Sequence, residues 1–464
     1  MSQNPKVFFW IVCLSLVAVL YQFFAPGLSG DAPLYAYVAR AMIESGEYFK
    51  MHSGLPEFQP FAEHPHLAYW IAAGFFNVFG AEDWVYRLPG QLFYIGTLLV
   101  FWKILKSELG EGRATIGVLL LWTWPLFSKF FANFYLDSGI IFFSLLAVYL
   151  WKTEPRPLKG KLNFVMCGLC LGIALLFKGI VSFAAVLCFV LYALFSYKNR
   201  RQFIQTTLGF FIPIALYLGV LATTGNFDFL NDYWQSINRR ASVGSFSHFF
   251  SIKPYLSILK ETHSLILTLP LMSLLIWKKR PQTHPFPIIW FSLFAGAYLY
   301  TGRYAFQYWT TIMPAIAWLL VGFLPPIKTA ISNKIILGTS ATALILGAFL
   351  QFWEKPLRSP PGDLMDQISH LLKNETRKNE LWVFKDRPIV EDFSGTGRVL
   401  WYTKLNRAHY IQPGEAFPAA SPEKILWLEH LGTQSRLDDE LSSKNWCQQL
   451  SKNKVSIWIQ CQSN

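Results

Sequence analysis

The stretch "FANFYLDSGIIFFSLLAVYLWK", Phe131–Lys152, sets an acid, Asp137, at the head of an apolar run that closes on a lysine. Apolar runs of about 15–20 residues are what a helix needs to cross a hydrocarbon core. An ionised carboxylate at the end of such a run is costly unless it pairs or performs a task. The pattern recurs outward in both directions. Candidate spans fall at 7–24, 88–105, 114–128, 131–150, 163–177, 180–197, 203–223, 263–277, 286–301, 305–324 and 335–353. The two short neighbours around Lys178 and Gly179 also read as one broken helix. About eleven spans predict an all-α polytopic membrane protein. With 53% hydrophobic and only 15% charged residues over 464 positions, the chain is too apolar for a soluble enzyme.

The formal charge of +13 does not point to nucleic acid. Basic residues sit in short clusters between apolar runs, "KTEPRPLKGK" from Lys152, "KNRR" from Lys198 and "KKR" from Lys278, as cytoplasmic loops do under the positive-inside rule. No basic face of a soluble domain is apparent. Placing these clusters, Lys6 and "KSELGEGR" inside leaves segments 25–87 and 224–262 and the tail after 353 outside. The first span reads as a retained signal anchor, since Lys6 is a thin basic region and "FFAPGLSG" a weak cleavage site. Cys13, Cys167, Cys170 and Cys188 lie in apolar runs, where a thiol packs as a small hydrophobe.

The 1–353 membrane part therefore carries two outer loops, 25–87 and 224–262, and precedes a 354–464 domain. In the first loop, Tyr35, Val38, Ala39 and Met42 share one helical face, with Gly46 as a stop. The run "HLAYWIAAGFFNVFG" is aromatic and short. Both read as juxtamembrane helices lying apolar face down, with Tyr69, Trp70 and Trp84 suited to the interface. In the tail, "LWVF" at 381–384, "KILWLE" at 424–429 and "VSIWIQ" at 455–460 read as strands, and "SRLDDELSSKNWCQQLSK" as an amphipathic helix. A small extracytoplasmic α/β domain is expected, where Cys447 and Cys461 are able to form a disulfide.

Asp31 opens the first outer helix ahead of Ala32 and Pro33, which also fits a helix N-cap. The order of several elements resembles a known family. Asp31 is followed by "GEYF", "FAEHPHLAYW", "FGAEDWVYRLPG", "ANFYLDSGIIFFSLLAVYL", "GLCLGIALLFKGIVSF" and "RYAFQYWTTIMPAIAWLL". Together they look like the polyprenyl-phosphate-sugar glycosyltransferases of the C superfamily (GT-C), in the branch of protein O-mannosyltransferases and the lipid A aminoarabinose transferase.

The resemblance implies transfer of one sugar, with inversion, from a polyprenyl-phosphate donor to an envelope lipid, glycan or protein. The site would lie on the extracytoplasmic face of the bacterial inner membrane. It implies Asp31 as general base or acceptor-positioning group and Asp137 as the second acid. For Asp137 a helix cap is the structural alternative. Glu63 falls on an acid that ligates a divalent metal in some relatives, and His64 falls where a phosphate-binding lysine is common.

A metal such as zinc, magnesium or manganese stays open, with Glu63 and His64 as ligands and His248 a remote third. His66 is one more candidate ligand, although two side chains separated by a proline rarely share a site. Ser236 stands where metal-bearing relatives have a histidine. Leu34 replaces a family arginine, so charge for the lipid phosphate is left to Arg239, with Arg240 behind it, and to Arg303 and Lys178. Tyr35, Tyr304 and Tyr308 are candidates for lining the sugar or lipid path, with plain packing the alternative. Two other classes remain: a lipid-linked-sugar flippase or transporter, whose mark is charge near the midplane and internal repeats, and a non-catalytic envelope scaffold.

Overall fold

Proline and glycine decide where the helices of this chain begin and break. The computed structural model describes residues 27–28, 30–54, 61–152, 160–195, 200–243, 285–301, 310–324, 380–385, 401, 407–411, 420, 424–429, 441–452 and 455–460. Helix α1, Ala32–Ser45, starts with a proline in its first turn and stops at Gly46, which holds a left-handed φ of 72°, the conformation glycine adopts without a Cβ penalty. Then follow α2, Leu67–Phe79, and α3, Asp83–Leu109. Where a single span was expected at 114–128, two helices appear, α4, Glu111–Thr123, and α5, Pro125–Ala132, bent by 69°. The cause is Pro125, which forces Trp124 out of the helical region to ψ 101°.

Helix α6, Leu136–Lys152, starts later than the span expected from 131. A turn intervenes, with Phe134 at φ 44°, a strained conformation for a non-glycine residue. Helix α7, Gly160–Lys178, a 3₁₀ turn over Gly179–Ser182 and α8, Phe183–Phe195, run on as one interrupted rod. Helices α9, Arg200–Thr223, α10, Phe229–Val243, α11, Pro285–Thr301, and α12, Met313–Phe323, follow among the described residues.

Three helices among the described residues are long and apolar enough to cross a membrane: Asp83–Leu109, Leu162–Leu194 and Arg200–Thr223. The bent pair makes a fourth if taken as one span. On α9, Leu208, Phe211 and Leu216 are 61%, 56% and 67% exposed, an apolar surface suited to hydrocarbon rather than water. The spans expected at 7–24, 263–277 and 335–353 lie outside the described residues.

The chain divides into two compact units. The first draws on Glu63–Ile71 and Glu82–Pro356, the second on Pro26–Ala62, Ala72–Ala81 and Leu357–Asn464. In the first, α6 packs on α7 and α7 on α9. Glycines set the α7–α9 distance. A Cβ on Gly168 would stand 1.9 Å from the Thr206 carbonyl oxygen, and one on Gly209 2.1 Å from that of Val165. With Gly172, Gly168 forms the G-x-x-x-G spacing that lets membrane helices approach backbone to backbone.

In the second unit five strands pair in the order β2-β1-β3-β5-β4: β1 Glu380–Lys385, β2 Arg407–Ile411, β3 Lys424–Glu429, β4 Trp446–Lys452 and β5 Val455–Gln460. Strands β2, β1 and β3 are parallel, whereas β5 runs antiparallel to β3 and to β4. Of the helix expected over residues 435–452, residues 441–443 are helical and the chain then turns at Asn445, φ 64°, while residues 435–440 lie outside the described residues. Strand β4 replaces the rest, because "WCQQLSK" finds a ready partner in β5 just beyond it. Cys447 thus sits on a strand. It is disulfide-bonded, and Cys461 lies outside the described residues.

Trp401 also belongs to this unit. It accepts a 3.0 Å hydrogen bond at its carbonyl from Arg40 Nη1 on α1, and its ring stacks on Phe76 of α2 at 5.6 Å. Two interfacial assignments change. Tyr69 is buried at 1% exposure, and α1 is buried from Ala32 to Met42 rather than on one face.

Candidate functional site

Lys178 ends α7, and its ammonium donates to Asp137 Oδ2 at 2.6 Å. Side-chain exposure is only 4% for the lysine and 1% for the aspartate. Lys178 needs an anionic partner away from water, and Asp137 supplies it. Asp137 stands inside the first turn of α6, not at its N-cap, so the capping alternative does not hold. Its second oxygen, Oδ1, is buried without a hydrogen-bond partner among the described residues.

Local sequence explains how the two ions meet. Gly139 lies two residues beyond the aspartate and Phe177 immediately before the lysine. A Cβ on Gly139 would come within 2.3 Å of the Phe177 ring. That close approach brings the start of α6 against the end of α7. From the other side, a Cβ on Gly90 of α3 would strike the Phe131 carbonyl oxygen at 1.9 Å, packing α3 on the strained turn that launches α6.

The helix break after Lys178 gathers more of the predicted stretches. Gly179 has φ 63°, and a Cβ there would lie 1.8 Å from the Tyr233 hydroxyl and 3.2 Å from Pro65 Cδ. The "FAEHPH" loop and α10 therefore meet at the break. The Ile180 N–H, left over where the helix stops, donates to Tyr233 Oη at 2.9 Å. Burial pushes the Tyr233 phenol up, so it remains neutral.

In the loop, His64 and His66 are buried and Glu63 half-buried. His66 Nδ1 pairs with the Tyr217 hydroxyl at 2.7 Å, and its ring lies 4.2 Å from Phe229 and 5.3 Å from Trp70. His66 is thus a packed core histidine. Among the described residues no three His, Cys, Asp or Glu side chains gather so as to hold a metal ion. His248, Arg303, Tyr304 and Tyr308 lie outside the described residues. Arg239 and Arg240 are on α10.

Asp31 belongs to the second unit, half-buried at the N-cap of α1, and its side chain makes no cap hydrogen bond. Tyr35, proposed for a lipid or sugar path, is buried in α1.

At the other end of α6, Lys152 forms an ion pair with Glu108 of α3. Glu108 Oε2 accepts from Trp318 Nε1 at 3.0 Å, and Lys152 sits 5.7 Å from the Trp318 ring. The basic loops that begin at Lys106 and Lys152 therefore start at the same end of the bundle. Asp137 lies about 22 Å away along α6, fifteen residues at 1.5 Å each.

Tyr233 and the glycines at 139, 168, 172 and 209 were not singled out from the sequence. The spacing of Gly168 and Gly172 was a usable signal. Tyr233 had none, because its role depends on a helix break 53 residues away.

Residues 63–224 match the family described as dolichyl-phosphate-mannose-protein mannosyltransferase. A candidate mannosyltransferase of Bacillus subtilis (strain 168), YycA, is 25% identical over 161 residues, 34% of this chain and 23% of that protein. An uncharacterised protein of Aquifex aeolicus (strain VF5) is 26% identical over 191 residues, 36% of this chain and 43% of its own length. The chain thus spans less than half the length of these relatives. The crystal structure of ArnT from Cupriavidus metallidurans in the apo state superposes with TM-score 0.72 at 14% identity, over 98% of both chains. The chain thus shares the fold of ArnT.

Proposed function

We propose that the chain is a membrane glycosyltransferase that moves one sugar, with inversion at the anomeric carbon, from a polyprenyl-phosphate carrier to an envelope acceptor. The acceptor class is a lipid, glycan or protein outside the bacterial inner membrane. The observation that carries the reading is the buried Lys178–Asp137 pair at a helix break, inside the stretch that matches the mannosyltransferase family. ArnT of Cupriavidus metallidurans, which shares the fold, is known with undecaprenyl phosphate bound. That supports a lipid phosphate as the carrier.

In such a transfer the bond from C1 of the sugar to a phosphate oxygen breaks and leaves its electron pair on the lipid phosphate. A new bond forms from C1 to an acceptor oxygen, whose proton passes to a base. A cation fixed in advance near the departing phosphate stabilises the charge that develops, without reorganisation at the moment of reaction. Lys178 is assigned that role, and Asp137 holds it in place. Arg239 and Arg303 are assigned further phosphate contacts, Arg239 on the resemblance of its loop. His64, where relatives carry lysine, is assigned a hydrogen bond to phosphate and not a permanent charge. Asp31 is assigned the acceptor proton because it falls on the first acid of the family pattern that the sequence resembles, and a carboxylate suits the role of base.

The test is transfer of a radiolabelled sugar from a polyprenyl-phosphate donor by the purified full chain. Asp31→Asn and Lys178→Gln are each expected to lower the rate at least a hundredfold while the protein still inserts. Normal turnover by Asp31→Asn refutes the base assignment. Normal turnover by Lys178→Gln refutes the phosphate assignment.

A further inference from the structure

The break between α7 and α8 is held from outside the rod. At Gly179 the backbone turns left-handed, and the room a side chain would need is already taken by the Tyr233 hydroxyl. The N–H that the break orphans, on Ile180, is satisfied by that same hydroxyl at 2.9 Å. Tyr233 is anchored in turn. Its ring stacks on Phe229 at 6.1 Å and 18°, and Phe229 lies against His66 in the loop of Glu63 and His64. One phenol therefore links α10, the loop 63–66 and the backbone one and two residues beyond Lys178.

From this we infer that Tyr233 is a positioning residue for Lys178. By fixing the backbone at Gly179 and Ile180, its hydroxyl sets where α7 stops and so where the lysine ammonium is held against Asp137. A chain in which Ile180 N–H lacks this acceptor has a softer break, and the ammonium loses its fixed place. The inference rests on the proposed role of Lys178 at a lipid phosphate. It assigns Tyr233 no contact with that lipid.

The experiment is binding of undecaprenyl phosphate to the detergent-purified full chain, followed by tryptophan fluorescence, in a double-mutant cycle of Tyr233→Phe with Lys178→Gln. Tyr233→Phe keeps the ring and removes only the hydroxyl. It is expected to weaken binding roughly two- to tenfold, the range of one lost hydrogen bond. In the Lys178→Gln background the same substitution is expected to have no further effect, because a residue acting through the lysine has nothing left to act on.

A merely structural tyrosine lowers the melting temperature and weakens binding by the same factor in both backgrounds, which overturns the inference. So does unchanged binding by Tyr233→Phe when Lys178→Gln alone weakens it. Unchanged binding by Lys178→Gln, or none by the wild type, overturns the phosphate reading together with the inference.

Discussion

Asp137 and Lys178 lie 41 positions apart in sequence and meet at 2.6 Å, both almost wholly buried, where the first turn of α6 touches the last turn of α7. Two charges withdrawn from water in this way contribute little net stability as a pair, but each depends strongly on the other.

Removing one partner strands the second. Asp137→Ala is expected to destabilise the protein by about 3–5 kcal/mol, whereas the double replacement Asp137→Leu with Lys178→Met is expected to restore most of that loss while abolishing transfer. Thermal unfolding in detergent checks the first, and the sugar-transfer assay the second. A double variant as unstable as Asp137→Ala argues against the pair.

The α7–α9 seam has backbone where a side chain would have to go. Gly168→Val is expected to force the helices apart and to cost about 1–3 kcal/mol or more, because its Cβ meets the Thr206 carbonyl oxygen at 1.9 Å. Gly219→Ala on the same α9 is the control, since a Cβ there meets nothing within 4 Å. It is expected to be neutral or slightly stabilising. Equal melting temperatures for the two variants contradict the close approach.

His66 is engaged by Tyr217 and by aromatic rings. Tyr217→Phe is expected to lower stability by about 1 kcal/mol. His66→Phe is expected to leave the metal content of the purified protein unchanged. Elemental analysis showing metal lost in His66→Phe contradicts the packing role.

In the sheet, Cys447 is disulfide-bonded on β4. Peptide mapping of unreduced protein is expected to recover it in a disulfide. Cys447→Ser is expected to lower the melting temperature of the full chain, as loss of a native bridge does. A free thiol at 447 in unreduced protein contradicts the bridge.

Apolar periodicity made the helical membrane part legible, and strands β1, β3 and β5 were legible because each is a short β-branched or aromatic run. Strand β4 was hidden because "NWCQQLSK" is polar and follows a genuine helical turn. Only its pairing with β5 makes it a strand. The α4–α5 break was written in Pro125, yet its apolar neighbours read as one span. At the candidate site, Asp137 and Lys178 stood out as charges in apolar runs, but their partnership did not, since it depends on Gly139 fitting against Phe177. His66 had the look of a ligand until its neighbours were known. Tyr233 left no mark in sequence because aromatic residues are frequent throughout the chain.

The most direct test of the account is mass spectrometry of envelope glycolipids and glycoproteins from a deletion strain complemented with wild type or with Lys178→Gln. The account predicts that one envelope species loses a single-sugar mass increment in the deletion strain, regains it with the wild type and does not regain it with Lys178→Gln. An envelope profile identical in all three strains contradicts it.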